Sequence, residues 1–173
     1  MTRMKTAVLI VLPLLAACSE DTPTAPEASA LALSAASANA ARPMDGRCET
    51  VLTPLPTAGD PPNMVRLHIE YVCELTHLGR ATAAAEQVVI FTGPTTAIAS
   101  NTATYTAANG DQLFAAWTGT STTIGPDITF SGTETYAGGT GRFADASGSA
   151  WISGTASFVS FTGQFTSSGT LNY

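Results

Sequence analysis

From Val65 to Leu75 the apolar residues Val65, Leu67, Ile69, Tyr71, Cys73 and Leu75 alternate with Arg66, His68, Glu70 and Glu74, and Val72 alone breaks the order. Period two marks a strand with one face in oil and one in water. "ATAAAEQVVIF" (81–91) ends in β-branched residues, and its alanines make the strand pattern weaker. "TATYTAANGDQLFAAW" places Asn109-Gly110 between two alternating segments, a pairing suited to the positive backbone angles of a type I′ hairpin turn. "DITFSGTETY", "GSAWISGTASFV" and "FTGQFTSSGTLNY" continue the alternation, and in the last of them Phe161, Phe165, Leu171 and Tyr173 share one face. Beyond residue 45 no segment carries a helical stripe, and short Gly, Pro and Asn turns separate the strands.

This pattern predicts an all-β domain of seven or eight antiparallel strands, either a closed up-and-down β-barrel or a sandwich. A recurring local motif favours the barrel with about eight strands. In "WTGT" at 117, "FSGT" at 130, "ISGT" at 152 and "FTGQ" at 161, an aromatic or branched residue is followed two places on by glycine. Mid-strand glycine weakens a sheet unless the strand bends sharply or another chain comes close. Small barrels need such bends.

The stretch "TYAGGTGRFADASGSAW" (135–151) has the glycines of a phosphate cradle but not its context. A Walker loop needs Gly-Lys-Ser/Thr opening a helix, whereas Gly141 is followed by Arg142-Phe143. A dinucleotide fingerprint also leads into a helix, and here the strand from Ala150 to Val159 follows too soon. The segment reads as a tight glycine turn and a short helical or irregular corner, with Phe143 plugging the core and Asp145 capping the corner. "GGTGRF", with "THLGRATAAAEQVVIF" and "TYTAANGDQLFAAWTGT", resembles the allene oxide cyclase and dirigent-like β-barrels over roughly residues 65–173. The resemblance implies an eight-stranded barrel with a central cavity. No position matches the residues with which those enzymes orient substrate, so it implies a fold and not an activity.

The first residues carry a different message. Arg3 and Lys5 precede an apolar run from Ala7 to Ala17, too short for the ~20 residues of a membrane-spanning helix. Leu15-Ala16-Ala17-Cys18 resembles the lipobox of bacterial lipoproteins. That resemblance implies a signal peptide over 1–17, removed on export, and acylation of Cys18 by fatty acids such as palmitate. Two or three acyl chains, each methylene contributing roughly 0.8 kcal/mol, make a lasting anchor where one would not. Residues 18–45 are rich in Ala, Ser, Pro and Thr and predict the lipidated cysteine and a disordered linker. Residues 46–173 are left for one barrel domain. The expected location is the cell envelope; in enterobacterial lipoproteins a serine at the position of Ser19 accompanies sorting to the outer membrane, and for this chain inner and outer membrane both stay open.

Removal of Arg3 and Lys5 leaves five Arg and no Lys against thirteen Asp and Glu, a net charge of −8. Such a chain repels phosphate backbones, so nucleic acid is not an expected partner. Cys48 and Cys73 are the remaining cysteines, and export favours a disulfide between them over two free thiols. Nothing in the spacing of Cys and His suggests a metal site, and no motif calls for a cofactor.

Candidate chemistry is sparse. His68 and His77 lie nine residues apart and read as surface or turn residues. Glu70 and Glu74 share the wet face of their strand with His68. Glu134 stands out: if Ile128, Phe130 and Tyr136 point inward, the same parity carries its carboxylate inward. There it would act as a general acid or base, or bond to a threonine or to Arg142. Trp117 and Trp151 are cavity walls or strand-face packing. Glu134, Tyr136, Phe130 and Trp117 are therefore the expected lining of a cavity, with no catalytic residue assigned. A lipid-anchored envelope barrel follows, non-catalytic, with a binding or structural role: it takes a small apolar ligand or presents a rigid surface to an envelope protein. The alternatives are a cyclase or isomerase of allene oxide cyclase type and an adhesive surface module.

Overall fold

A computed structural model describes residues 41–173 apart from residue 57. The expected signal peptide, Cys18 and the expected linker up to residue 40 lie outside the described residues. Eight strands follow one another: β1 (Arg42–Pro54), β2 (Met64–Leu75), β3 (Gly79–Phe91), β4 (Thr96–Ala107), β5 (Gln112–Ile124), β6 (Asp127–Gly139), β7 (Ser147–Ser157) and β8 (Thr162–Asn172). Each pairs antiparallel with its neighbour in sequence, and β1 pairs with β8. The alternation thus folds as an all-β closed up-and-down barrel. The strand β1 begins at Arg42, inside the stretch read from sequence as linker.

Closure follows from which residues point inward. On β2 the buried positions are Leu67, Ile69, Tyr71, Cys73 and Leu75, while Val72 faces out, as the period required. On β3 and β4 the inward positions are largely alanine, among them Ala81, Ala83, Ala85, Ala99 and Ala103, so the large side chains of other strands have room. Ala83, for example, pairs with Tyr71 on one side and Tyr105 on the other. The mid-strand glycines sit at inward positions too. Gly119 and Gly132 are directly paired across β5 and β6. A Cβ on Gly132 would strike the carbonyl oxygen of Thr118, and one on Gly119 would strike the carbonyl oxygen of Ser131 and the ring of Trp117. Bare backbone at this pair lets two strands press together where the sheet curls.

Cys48 and Cys73 face each other across β1 and β2 and form a disulfide whose two residues are fully buried. The β4–β5 connection departs from the type I′ turn. Gly110 has φ +89° while Asn109 stays at negative φ, the Gly110 N–H bonds to the Ala107 carbonyl, and the Ala107 N–H bonds to the Asp111 carbonyl. This is a three-residue loop in which a type I turn is followed by a glycine in the left-handed region. The cause is Asn109, whose side chain spends its hydrogen bonds on the Asp111 amide and carboxylate instead of bending its own backbone.

One end of the barrel is plugged. At the end of β6 the chain turns at Gly138 and, beyond the strand, at Gly141, both at positive φ, into a single 3-10 turn, Gly141–Phe143. Thr140 continues the β5 pairing through its amide and its hydroxyl, which bond to Gln112 at 2.8 and 2.9 Å. Phe143 enters the barrel fully buried, its ring 5.1 Å from that of Tyr173. Met44, Leu113 and Leu171 are equally buried at this end. The corner expected from "GGTGRF" is therefore present, but Asp145 does not cap it. The residue before the 3-10 turn is Thr140, and it makes no side-chain cap bond. Phe161 also departs from expectation. It lies in the β7–β8 turn at φ +52°, half-exposed, while Phe165, Leu171 and Tyr173 keep the inward face.

Candidate functional site

At the opposite end the barrel holds an open cavity of about 90 Å3. Its walls include Leu52, Val65, Val89, Phe91, Ile128 and Phe158 near the mouth. Deeper in, a belt of rings crosses the barrel. Tyr105 lies 6.3 Å from Tyr71, Tyr71 meets Phe165 edge-on at 5.8 Å, Phe165 lies 6.5 Å from Phe130, and Phe130 meets Trp117 edge-on at 6.1 Å. Edge-to-face contacts of this kind are favoured by the ring quadrupoles. Glu134 completes the circuit, directly opposite Trp117 on the neighbouring strand and hydrogen-bonded to Tyr105.

Parity placed Glu134 correctly: it is inward and 4% exposed. Its partner is not the one expected. Arg142 lies at the plugged end, where its guanidinium bonds to the His77 carbonyl at 2.6 Å, pairs with Asp111 at 3.6 Å and covers the Phe143 ring. Glu134 instead receives the Tyr105 hydroxyl on Oε1 at 2.9 Å. Burial raises the Glu134 pKa above the usual carboxylate range, and hydrogen bonds from Tyr105 and Tyr136 only partly offset that. The phenols of Tyr71, Tyr105 and Tyr136 are likewise pushed up, first by burial and then by the Glu134 charge. No Arg, Lys or His is among the described residues lining the cavity.

A polar ladder runs down one wall. Asn101 donates to the Gln87 side-chain oxygen at 3.0 Å and to the Tyr71 hydroxyl at 3.4 Å. The other expected site residues sort simply. Trp117 and Phe130 line the cavity with Glu134, whereas Tyr136 is buried beneath it. Trp151 points outward and is half-exposed. His68 faces outward on β2 between Thr53 and Glu86, and His77 sits in the β2–β3 turn at the plugged end, so the two are not brought together. Tyr71, Asn101 and Tyr105 were missed as site residues. Each occupies an inward position on its strand, and a polar residue at inward parity was the signal available.

The comparisons with known proteins add nothing to this geometry. No family model, no curated protein and no solved structure matches the chain.

The burial of Glu134 has a consequence for stability. Its folded pKa lies above the value of 4.5 of a free glutamate, so between those two pH values the folded protein keeps a proton that the unfolded chain has released. The contribution of Glu134 to stability is then full below pH 4.5, falls as pH rises, and levels off above the folded pKa. Glu134→Gln is expected to flatten this decline, by about 1.4 kcal/mol per unit of pKa separation. Urea unfolding of the wild type and the variant across the acid to neutral range measures it.

Proposed function

We propose that this chain is a lipid-anchored cell-envelope protein whose barrel is a non-catalytic cup for a small apolar molecule. The observation that carries the reading is the asymmetry of the barrel: Phe143 and its neighbours seal one end, while an apolar, aromatic-floored cavity opens at the other. Apolar sites with a few placed polar groups are the usual form of small-molecule pockets, typically ~300–1,000 Å3. A cavity of about 90 Å3 restricts the occupant to a small molecule or to one end of a longer one. Ile124, Phe158, Val159 and Phe161 are exposed at the mouth and offer an apolar path inward. The chain enters the barrel at Arg42, which pairs with Leu171 at the plugged end. A lipid on Cys18 would then tether the barrel through the chain that enters at that end.

The enzyme reading, a cyclase or isomerase like the allene oxide cyclase barrels, is favoured by one observation, the buried acid Glu134 beside Tyr105. Proton abstraction would need a base, and the cavity offers no second carboxylate or imidazole among the described residues. Native mass spectrometry of the full chain, released from its own envelope, separates these readings. The expected result is a mass that includes acyl chains, absent from Cys18→Ala, together with a co-purifying small molecule that leaves on unfolding. A chain without acylation, or with no small molecule bound, contradicts the respective half of the proposal.

A further inference from the structure

The polar groups around the cavity point to a definite ligand chemistry, on the reading that the cavity binds a small molecule. Asn101 donates to the Tyr71 hydroxyl oxygen, and Tyr71 makes no bond as donor among the described residues. The indole Nε1–H of Trp117 is buried and likewise without an acceptor. Glu134 is the acidic group beside them; Tyr105 donates to its Oε1, and Tyr136 also hydrogen-bonds to the carboxyl from beneath. A carboxylate held there as an anion would need a cation, and the described lining supplies none. A neutral carboxyl avoids that cost and adds a third donor to the other two. A buried donor left without an acceptor is destabilising, so the arrangement is complete only when an acceptor arrives.

We infer that the cavity takes a neutral apolar molecule whose inner end carries a carbonyl-type oxygen, accepted between the Tyr71 hydroxyl and the Glu134 carboxyl. Gln87 and Asn101 hold Tyr71 in place for this role. The titratable groups facing Glu134 are Tyr71 from β2, Tyr105 from β4 and Tyr136 from β6. Trp117 on β5 and Ala150 on β7, its cross-strand neighbours, carry no charge. The pH dependence of the ligand's affinity is thus set by the protonation of Glu134 below the range in which phenols ionise.

Three probes that share one ring test the inference: cyclopentanone, cyclopentane and cyclopentylammonium, each titrated into the full chain and followed by the NMR signal of the Trp117 indole N–H. Cyclopentanone is expected to bind about a hundredfold tighter than cyclopentane, about tenfold for each of its two hydrogen bonds. Tyr71→Phe and Glu134→Leu should each reduce that preference by about tenfold while leaving cyclopentane binding in place. Wild-type affinity for the ketone should weaken as pH is raised through the titration of Glu134. Glu134→Gln, which keeps a donor at that position, should bind the ketone independently of pH. Equal binding of ketone and hydrocarbon overturns the inference but leaves the cavity as a binding site. Preference for the ammonium, abolished by Glu134→Gln, does the same. Failure of all three probes to bind the folded chain overturns the binding reading itself.

Discussion

Phe143→Ala is expected to cost the barrel about 3–5 kcal/mol, the range for truncating a fully buried phenylalanine. The side chain is 0% exposed and closes the end at which β1 begins and β8 finishes. Its backbone cannot follow a shrinking side chain. Gly138 and Gly141 hold the turn at positive φ, and a Cβ on Gly141 would collide with the Asp111 carboxylate. Thr140 is bonded to Gln112 at both its amide and its hydroxyl. The corner is therefore fixed, the cavity left behind cannot collapse, and the full cavity penalty applies. Domains of this size are stable by only ~5–15 kcal/mol, so the loss removes a large share of the total. Urea unfolding should show the midpoint falling with an unchanged slope, and Phe143→Leu should recover more than half of the loss. A Phe143→Ala variant as stable as wild type would show that the end is not sealed by this residue.

The second large effect concerns Cys48 and Cys73. Their bond closes a loop with a sequence separation of 25, and its loss in a double Cys→Ala variant is expected to cost about 3 kcal/mol through the unfolded state. Because the two cysteines are 1% and 0% exposed, the bond should also resist reductants in the folded protein. Mass spectrometry after treatment with a thiol reductant and an alkylating agent should find no modification until denaturant is added. Alkylation of the folded chain at a rate like that of an unfolded peptide would mean that β1 and β2 open readily.

Period-two alternation made most of this barrel legible. It worked best where inward residues are large, as in β2, because each of Leu67, Ile69, Tyr71, Cys73 and Leu75 announces its face. It failed for β1, whose inward positions are Met44, Gly46, Cys48, Thr50 and Leu52. Glycine and threonine there break the hydrophobic signal, so the start of the strand merged with the polar stretch before it. It also misplaced Phe161, since parity counts residues and a turn at φ +52° discards the count. Glu134 was legible for the same reason as the core residues: parity does not depend on side-chain chemistry. Its partner was not. Tyr105 comes from a strand 29 residues away, and only barrel closure brings its hydroxyl to the carboxylate. The nearby Arg142 was a reasonable candidate by sequence distance, but the 3-10 turn carries it to the far end of the molecule.

The barrel is sealed at the Phe143 end and hollow, apolar and accessible at the other. Xenon enters dry apolar cavities and scatters strongly enough to be located. Diffraction from crystals of the protein held under xenon is expected to show an atom enclosed by Tyr71, Trp117, Phe130 and Phe165, with none behind Phe143. Side chains filling that space, or a xenon site at the Phe143 end instead, would contradict the account.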